Sequence, residues 1–167
     1  IATVYFKQGK DDELLAYAEQ ALLQDGVASA DELSLMIAEA WFRKGDYKKA
    51  LERYQDYLDD HKNASRQIVY RAGFAAAQAS ENELAISLLK RAASDADSVG
   101  VYASYLLGSL YLKRQDKALA LTAFETARKF KKDARLAEES LFMTAKINYE
   151  LGRSETAISE FEAVLEE

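Results

Sequence analysis

Apolar and small residues recur along this chain at spacings of three and four, and the faces they form recur every 35 to 37 residues. Five segments align on that period: "IATVYFKQGKDDELLAYAEQAL", "SLMIAEAWFRKGDYKKALERYQDYL", "VYRAGFAAAQASENELAISLLKRAA", "SYLLGSLYLKRQDKALALTAFETAR" and "LFMTAKINYELGRSETAISEFEAVL". One column holds Leu14, Ala50, Ala85, Ala120 and Ala157. Four residues on stand Ala18, Tyr54, Leu89, Phe124 and Phe161, and three further Ala21, Tyr57, Ala92, Ala127 and Val164, which is the i, i+4, i+7 face of a helix. Twelve residues before the alanine column come Ala2, Ala38, Gly73, Gly108 and Ala145, all small, followed three later by Tyr5, Trp41, Ala76, Tyr111 and Asn148, a second helical face. The polar stretches between, "KQGKDD", "RKGDYK", "QASENE", "KRQDKA" and "ELGRSE", end one helix and begin the next.

Each period therefore predicts a helical hairpin. Two helices approach closely only where their contact residues lack bulk, so a small residue on the first helix opposite alanine on the second marks their crossing. A single hairpin cannot bury its apolar faces, so neighbours must stack around a continuous core. No stretch alternates as a half-buried strand would, and we expect no β-sheet.

The pattern resembles the tetratricopeptide repeat, best in Val101 to Ala134, where Leu107, Gly108, Tyr111, Ala120, Phe124 and Ala127 stand at its characteristic positions. The chain departs from that repeat in lacking its late proline, in Leu14 at a small-residue position, in Asn148 at an aromatic one, and in a period longer than the usual figure of about 34. The resemblance implies an all-α, right-handed α-α superhelix, a solenoid of stacked helical hairpins forming one domain over residues 1–167. We expect about four and a half repeats, bounded as 1–30 (partial), 31–65, 66–100, 101–137 and 138–167. "ISEFEAVLEE" and "ALERYQDYLDDHK" further resemble bacterial tetratricopeptide proteins of the cell envelope, including outer-membrane assembly lipoproteins. That tilts the expected location toward the bacterial periplasm or envelope over the cytoplasm.

In arrays of this family the first helix of each hairpin lines a concave groove and contacts partners from repeat positions 2, 5, 9 and 12. Carried over by alignment, position 5 implies Leu35, Tyr70, Tyr105 and Phe142, position 9 implies Glu39, Phe74, Ser109 and Lys146, and position 12 implies Phe42, Leu112 and Tyr149. Arg71 and Lys113 lie beside them. Relatives that grip a chaperone's terminal carboxylate carry lysine and asparagine at positions 5 and 9 of the first repeat, and this chain does not. The resemblance thus implies a non-enzymatic scaffold that binds an apolar or aromatic peptide or helix of a protein partner. Tyr70, Phe74 and Tyr105 are expected to share one aromatic wall. The alternatives are a structural spacer, self-associating through its terminal repeats, and an accessory domain of an enzyme.

Composition narrows the remaining choices. With a net charge of −6 over 167 residues, the field of the chain disfavours nucleic acid and anionic membrane surfaces and favours a basic partner. The longest uncharged run, Ser98 to Leu112, is shorter than the roughly 20 residues a spanning helix needs, so no membrane insertion is expected. There is no cysteine for a disulfide, thiolate or metal site, and no proline, so Gly, Asp, Asn and Ser must set helix ends. The chain begins at Ile1 without an initiator methionine and is expected to be a piece of a longer protein.

No catalytic or metal centre is expected. His61 is the one histidine, placed where it would cap a helix C-terminus. The adjacent acids Asp11–Asp12, Asp59–Asp60 and Glu138–Glu139 point about 100° apart on a helix and cannot form a general acid–base pair. No glycine pattern cradles a phosphate, so no cofactor is expected. Arg128, Lys129, Lys131, Lys132 and Arg135 crowd a helix end, where cations offset the dipole.

Overall fold

The structure, a computed structural model, describes residues 1–23, 30–95, 97–130 and 132–166. It is all-α, with ten helices and no strand among the described residues: α1 (Ala2–Lys7), α2 (Asp11–Leu22), α3 (Ala30–Lys44), α4 (Tyr47–Asp60), α5 (Arg66–Gln78), α6 (Asn82–Ala92), α7 (Ser98–Lys113), α8 (Lys117–Ala127), α9 (Ala134–Glu150) and α10 (Ser154–Glu166). They fall into two compact units, Ile1–Ala85 and Ile86–Glu167.

One turn geometry, used five times, breaks the chain into hairpins. Gly9, Gly45, Ser80, Gln115 and Gly152 occupy one column of the repeat, and each has left-handed φ, between 62° and 78°. At Gly45 the amide donates to the Phe42 carbonyl at 3.1 Å, and the next amide, of Asp46, donates to Trp41 at 3.0 Å. The same pair of bonds recurs at the other four turns, closing each first helix with a Schellman motif. The residue after the left-handed one begins the second helix. Asp46 and Asp116 there accept the amides of Lys49 and Leu119 through their carboxylates, as N-caps do.

Within the first unit α1 and α2 pair, α3 packs on α2 and α4, and α5 packs on α4. Within the second, α7 pairs with α8, α9 packs on α8, and α10 pairs with α9. The small-residue column is the core of both units: Leu14, Ala50, Ala85 and Ala120 are wholly buried and Ala157 is 1% exposed. Gly108 shows why its opposite column must also be small. A Cβ there would sit 2.7 Å from the Phe124 ring, so the α7–α8 crossing has room for hydrogen alone.

Candidate functional site

In the first unit α3 carries Leu35, Glu39 and Phe42, and α5 carries Tyr70, Arg71 and Phe74. The aromatics interlock. Phe42, Tyr47 and Phe74 form a triangle with every pair of ring centroids 5.5 Å apart, and Tyr70 leans on Phe74 at 6.5 Å. These rings are half-buried by one another, which leaves less of them for a guest. Glu39 is buried, accepts a hydrogen bond from the Tyr54 hydroxyl at 2.8 Å, and is ion-paired with Arg71. Burial, with the Glu39 carboxylate beside it, pushes the Tyr54 hydroxyl pKa far above its ordinary value. Above this network opens a cavity of about 310 Å³ lined by Phe6, Glu32, Leu35, Met36, Glu39, Tyr57 and Arg71.

In the second unit α7 carries Tyr105, Ser109, Leu112 and Lys113. Tyr105 packs edge-on against Phe124 at 5.6 Å and donates to Glu139 at 3.2 Å; burial first, then that carboxylate, raises its pKa. Ser109 is turned inward along its own helix, donating to the Tyr105 carbonyl, Leu112 is half-buried and Lys113 is exposed. On α9 the three candidates stand out. Phe142 is 47% exposed, Tyr149 68%, and Lys146 between them is exposed too, an i, i+4, i+7 stripe along one face. A second cavity, of about 380 Å³, is lined by Tyr105, Arg135, Glu138, Glu139, Phe142, Met143 and Val164.

Two acids, buried Glu39 and half-buried Glu160, are organisers that the sequence did not reveal. Glu160 of α10 accepts from Arg128 at 2.8 Å, from Asn148 at 2.8 Å and from Thr144 at 3.4 Å, tying α10 to α8 and α9. Asn148 in an aromatic column was the available signal, since a buried amide there demands a polar partner. The basic run does not act as one patch: Arg128 closes on Glu160 and Arg135 on Glu139, while Lys131 lies outside the described residues. Asp11 and Asp12, in the first turn of α2, are separated as expected, one taking Arg43 and the other Lys44 of α3. His61 caps α4, its Nδ1 3.0 Å from the Tyr57 carbonyl and its ring stacked on Tyr57 at 4.2 Å.

Among the described residues no three His, Cys, Asp or Glu side chains gather to hold a metal. No helix among them is long and apolar enough to cross a membrane. What the geometry offers is shaped surface on the first helices of stacked hairpins, and the class is therefore that of helical-hairpin repeat proteins. A sequence model of the tetratricopeptide repeat matches residues 1–66 and 70–135, and a second matches 139–167, so the chain belongs to the tetratricopeptide repeat family. It is a protein-interaction module of that family.

No curated protein sequence matches the chain. Among solved structures, a crystal structure of MamA matches with a TM-score of 0.81 at 21% identity, over 99% of this chain and 93% of that one. MamA residues 41 to the end from Desulfovibrio magneticus RS-1 match at 0.75 and 22%, over 99% and 90%. BtubC (BKLC) from P. vanneervenii matches at 0.73 and 16%, over 99% and 76%. At these identities the likeness establishes the shared fold.

Proposed function

We propose that the chain is a non-enzymatic scaffold that binds a peptide or helix of a partner protein on the groove-facing first helices of its hairpins. The observation that carries this reading is the stripe of Phe142, Lys146 and Tyr149 on α9, two large rings and a cation held in water on one helix face. Exposed rings on a rigid helix bury large area on contact with little loss of side-chain freedom, which is why such residues anchor interfaces. A peptide library displayed on phage and selected against the wild-type chain tests it. Selected peptides should lose about 2 kcal/mol of affinity on Tyr149→Ala, with the melting temperature unchanged. Peptides that bind the variant equally well would remove α9 from the site.

A second reading, self-association through α10, is favoured by Ile158 at 58% exposure and Leu165 at 87% on that helix. Sedimentation velocity at rising concentration should then show a larger species that Ile158→Glu abolishes. A sedimentation coefficient independent of concentration would remove this reading.

A further inference from the structure

The two cavities share four of their seven lining positions. Glu32, Leu35, Met36 and Tyr57 of the first correspond to Glu139, Phe142, Met143 and Val164 of the second, every pair at one constant offset, three repeats along the chain. Their charge is alike in count though not in position, since at that offset Glu39 corresponds to Lys146 and Glu138 to Asp31. Each holds one arginine already spent on a carboxylate, Arg71 on Glu39 and Arg135 on Glu139. Each of those carboxylates also takes a tyrosine hydroxyl, Tyr54 or Tyr105. That leaves one further carboxylate per cavity, Glu32 and Glu138, exposed and without an ion pair or hydrogen bond among the described residues.

We infer that each cavity takes a large apolar side chain flanked by lysine or arginine, so that one chain accepts two copies of such a motif. This rests on the proposed groove reading and specifies its guest. The apolar lining, Phe6, Leu35 and Met36 in one and Phe142, Met143 and Val164 in the other, supplies the hydrophobic contact. Volumes of about 310 and 380 Å³ sit at the small end of ligand pockets, suited to one bulky side chain rather than a whole helix. An acidic guest would meet an unpaired carboxylate on the rim and arginines already neutralised, whereas a cationic one pairs with Glu32 or Glu138. The chain's net charge of −6 steers in the same direction.

The chain carries its own reporters, for its two methionines are Met36 and Met143, one in each cavity. With 13C-labelled methionine methyls, the full chain is titrated with the capped tetrapeptide Ser-Phe-Lys-Ser and, separately, with Ser-Phe-Glu-Ser. The lysine peptide should shift both methyls saturably at about 1 mM, roughly tenfold tighter than the glutamate peptide. Glu138→Lys should reverse that preference at Met143 and leave Met36 unaffected, and Glu32→Lys should do the converse. Both variants alter exposed residues, and an unchanged circular dichroism spectrum establishes that they fold. Equal affinity for the two peptides, or a preference that neither variant moves, overturns the inference while the groove reading stands. A response at one methyl alone overturns the twinned site, and silence at both overturns the inference entirely. Failure of the groove reading is read separately, from phage-selected peptides that ignore Tyr149→Ala.

Discussion

At the scale of single residues, the turn column divides into positions that suit their backbone and positions that do not. Gly9, Gly45 and Gly152 take left-handed φ freely, but Ser80 at 67° and Gln115 at 62° hold it against the clash of their Cβ. Replacing either by glycine should stabilise the chain by about 0.5–1 kcal/mol, the relief of strain being partly offset by a looser unfolded chain. Gly45→Ala should cost about 1 kcal/mol, for although nothing lies within 4 Å of the added Cβ, its φ of 78° would become strained. Urea melts of the three variants check both signs. Gly108→Ala fails for a different reason, since its methyl meets the Phe124 ring, and a loss of about 1–3 kcal/mol is expected. A neutral result there would mean that the α7–α8 crossing is wider than 2.7 Å to that ring implies. Tyr105 stands between the two roles: packed on Phe124, yet only half-buried at the second cavity.

At the scale of helices, one buried acid and one half-buried acid decide which neighbours lock together. Glu39 joins α3 to Tyr54 of α4 and Arg71 of α5, and Glu160 joins α10 to α8 and α9. Tyr54→Phe would leave the buried Glu39 with one bonding partner fewer and should cost about 1–3 kcal/mol. The raised pKa of Tyr54 also gives a pH dependence. Below its ordinary value of 10.0 the folded and unfolded chains both keep the proton, and the contribution is complete. Above that pH the unfolded chain ionises first, so stability falls as pH climbs toward the folded value. Tyr54→Phe should flatten part of that alkaline fall, leaving the part due to Tyr105, whose pKa is raised as well. An unaltered alkaline limb would show that Tyr54 does not govern it.

At the scale of the whole molecule, a repeat fold transmits damage only to adjoining repeats. Glu160→Gln removes the charge that Arg128 meets, and hydrogen exchange should accelerate in α8, α9 and α10 while α1 to α4 keep their wild-type rates. Acceleration spread evenly through the chain would mean that it unfolds as a single cooperative body.

The amino-acid sequence by itself determined the helical hairpins, their period, the small residues at each crossing and the family. All of these follow from local spacing and from residue size, which a linear pattern records. The placement of Leu35, Phe42, Tyr70 and Phe74 on first helices was legible for the same reason, but how much of each ring reaches water was not. That depends on the triangle of Phe42, Tyr47 and Phe74, which joins three helices. Tertiary structure alone decided that Glu39 lies inside and Glu160 is half-buried while Glu32 and Glu138 face out, because a carboxylate leaves water only where hydroxyl, amide or guanidinium groups from other helices converge on it. Periodicity marks which face of a helix a residue occupies; whether partners wait on the opposing helix is set by packing between segments far apart in the chain.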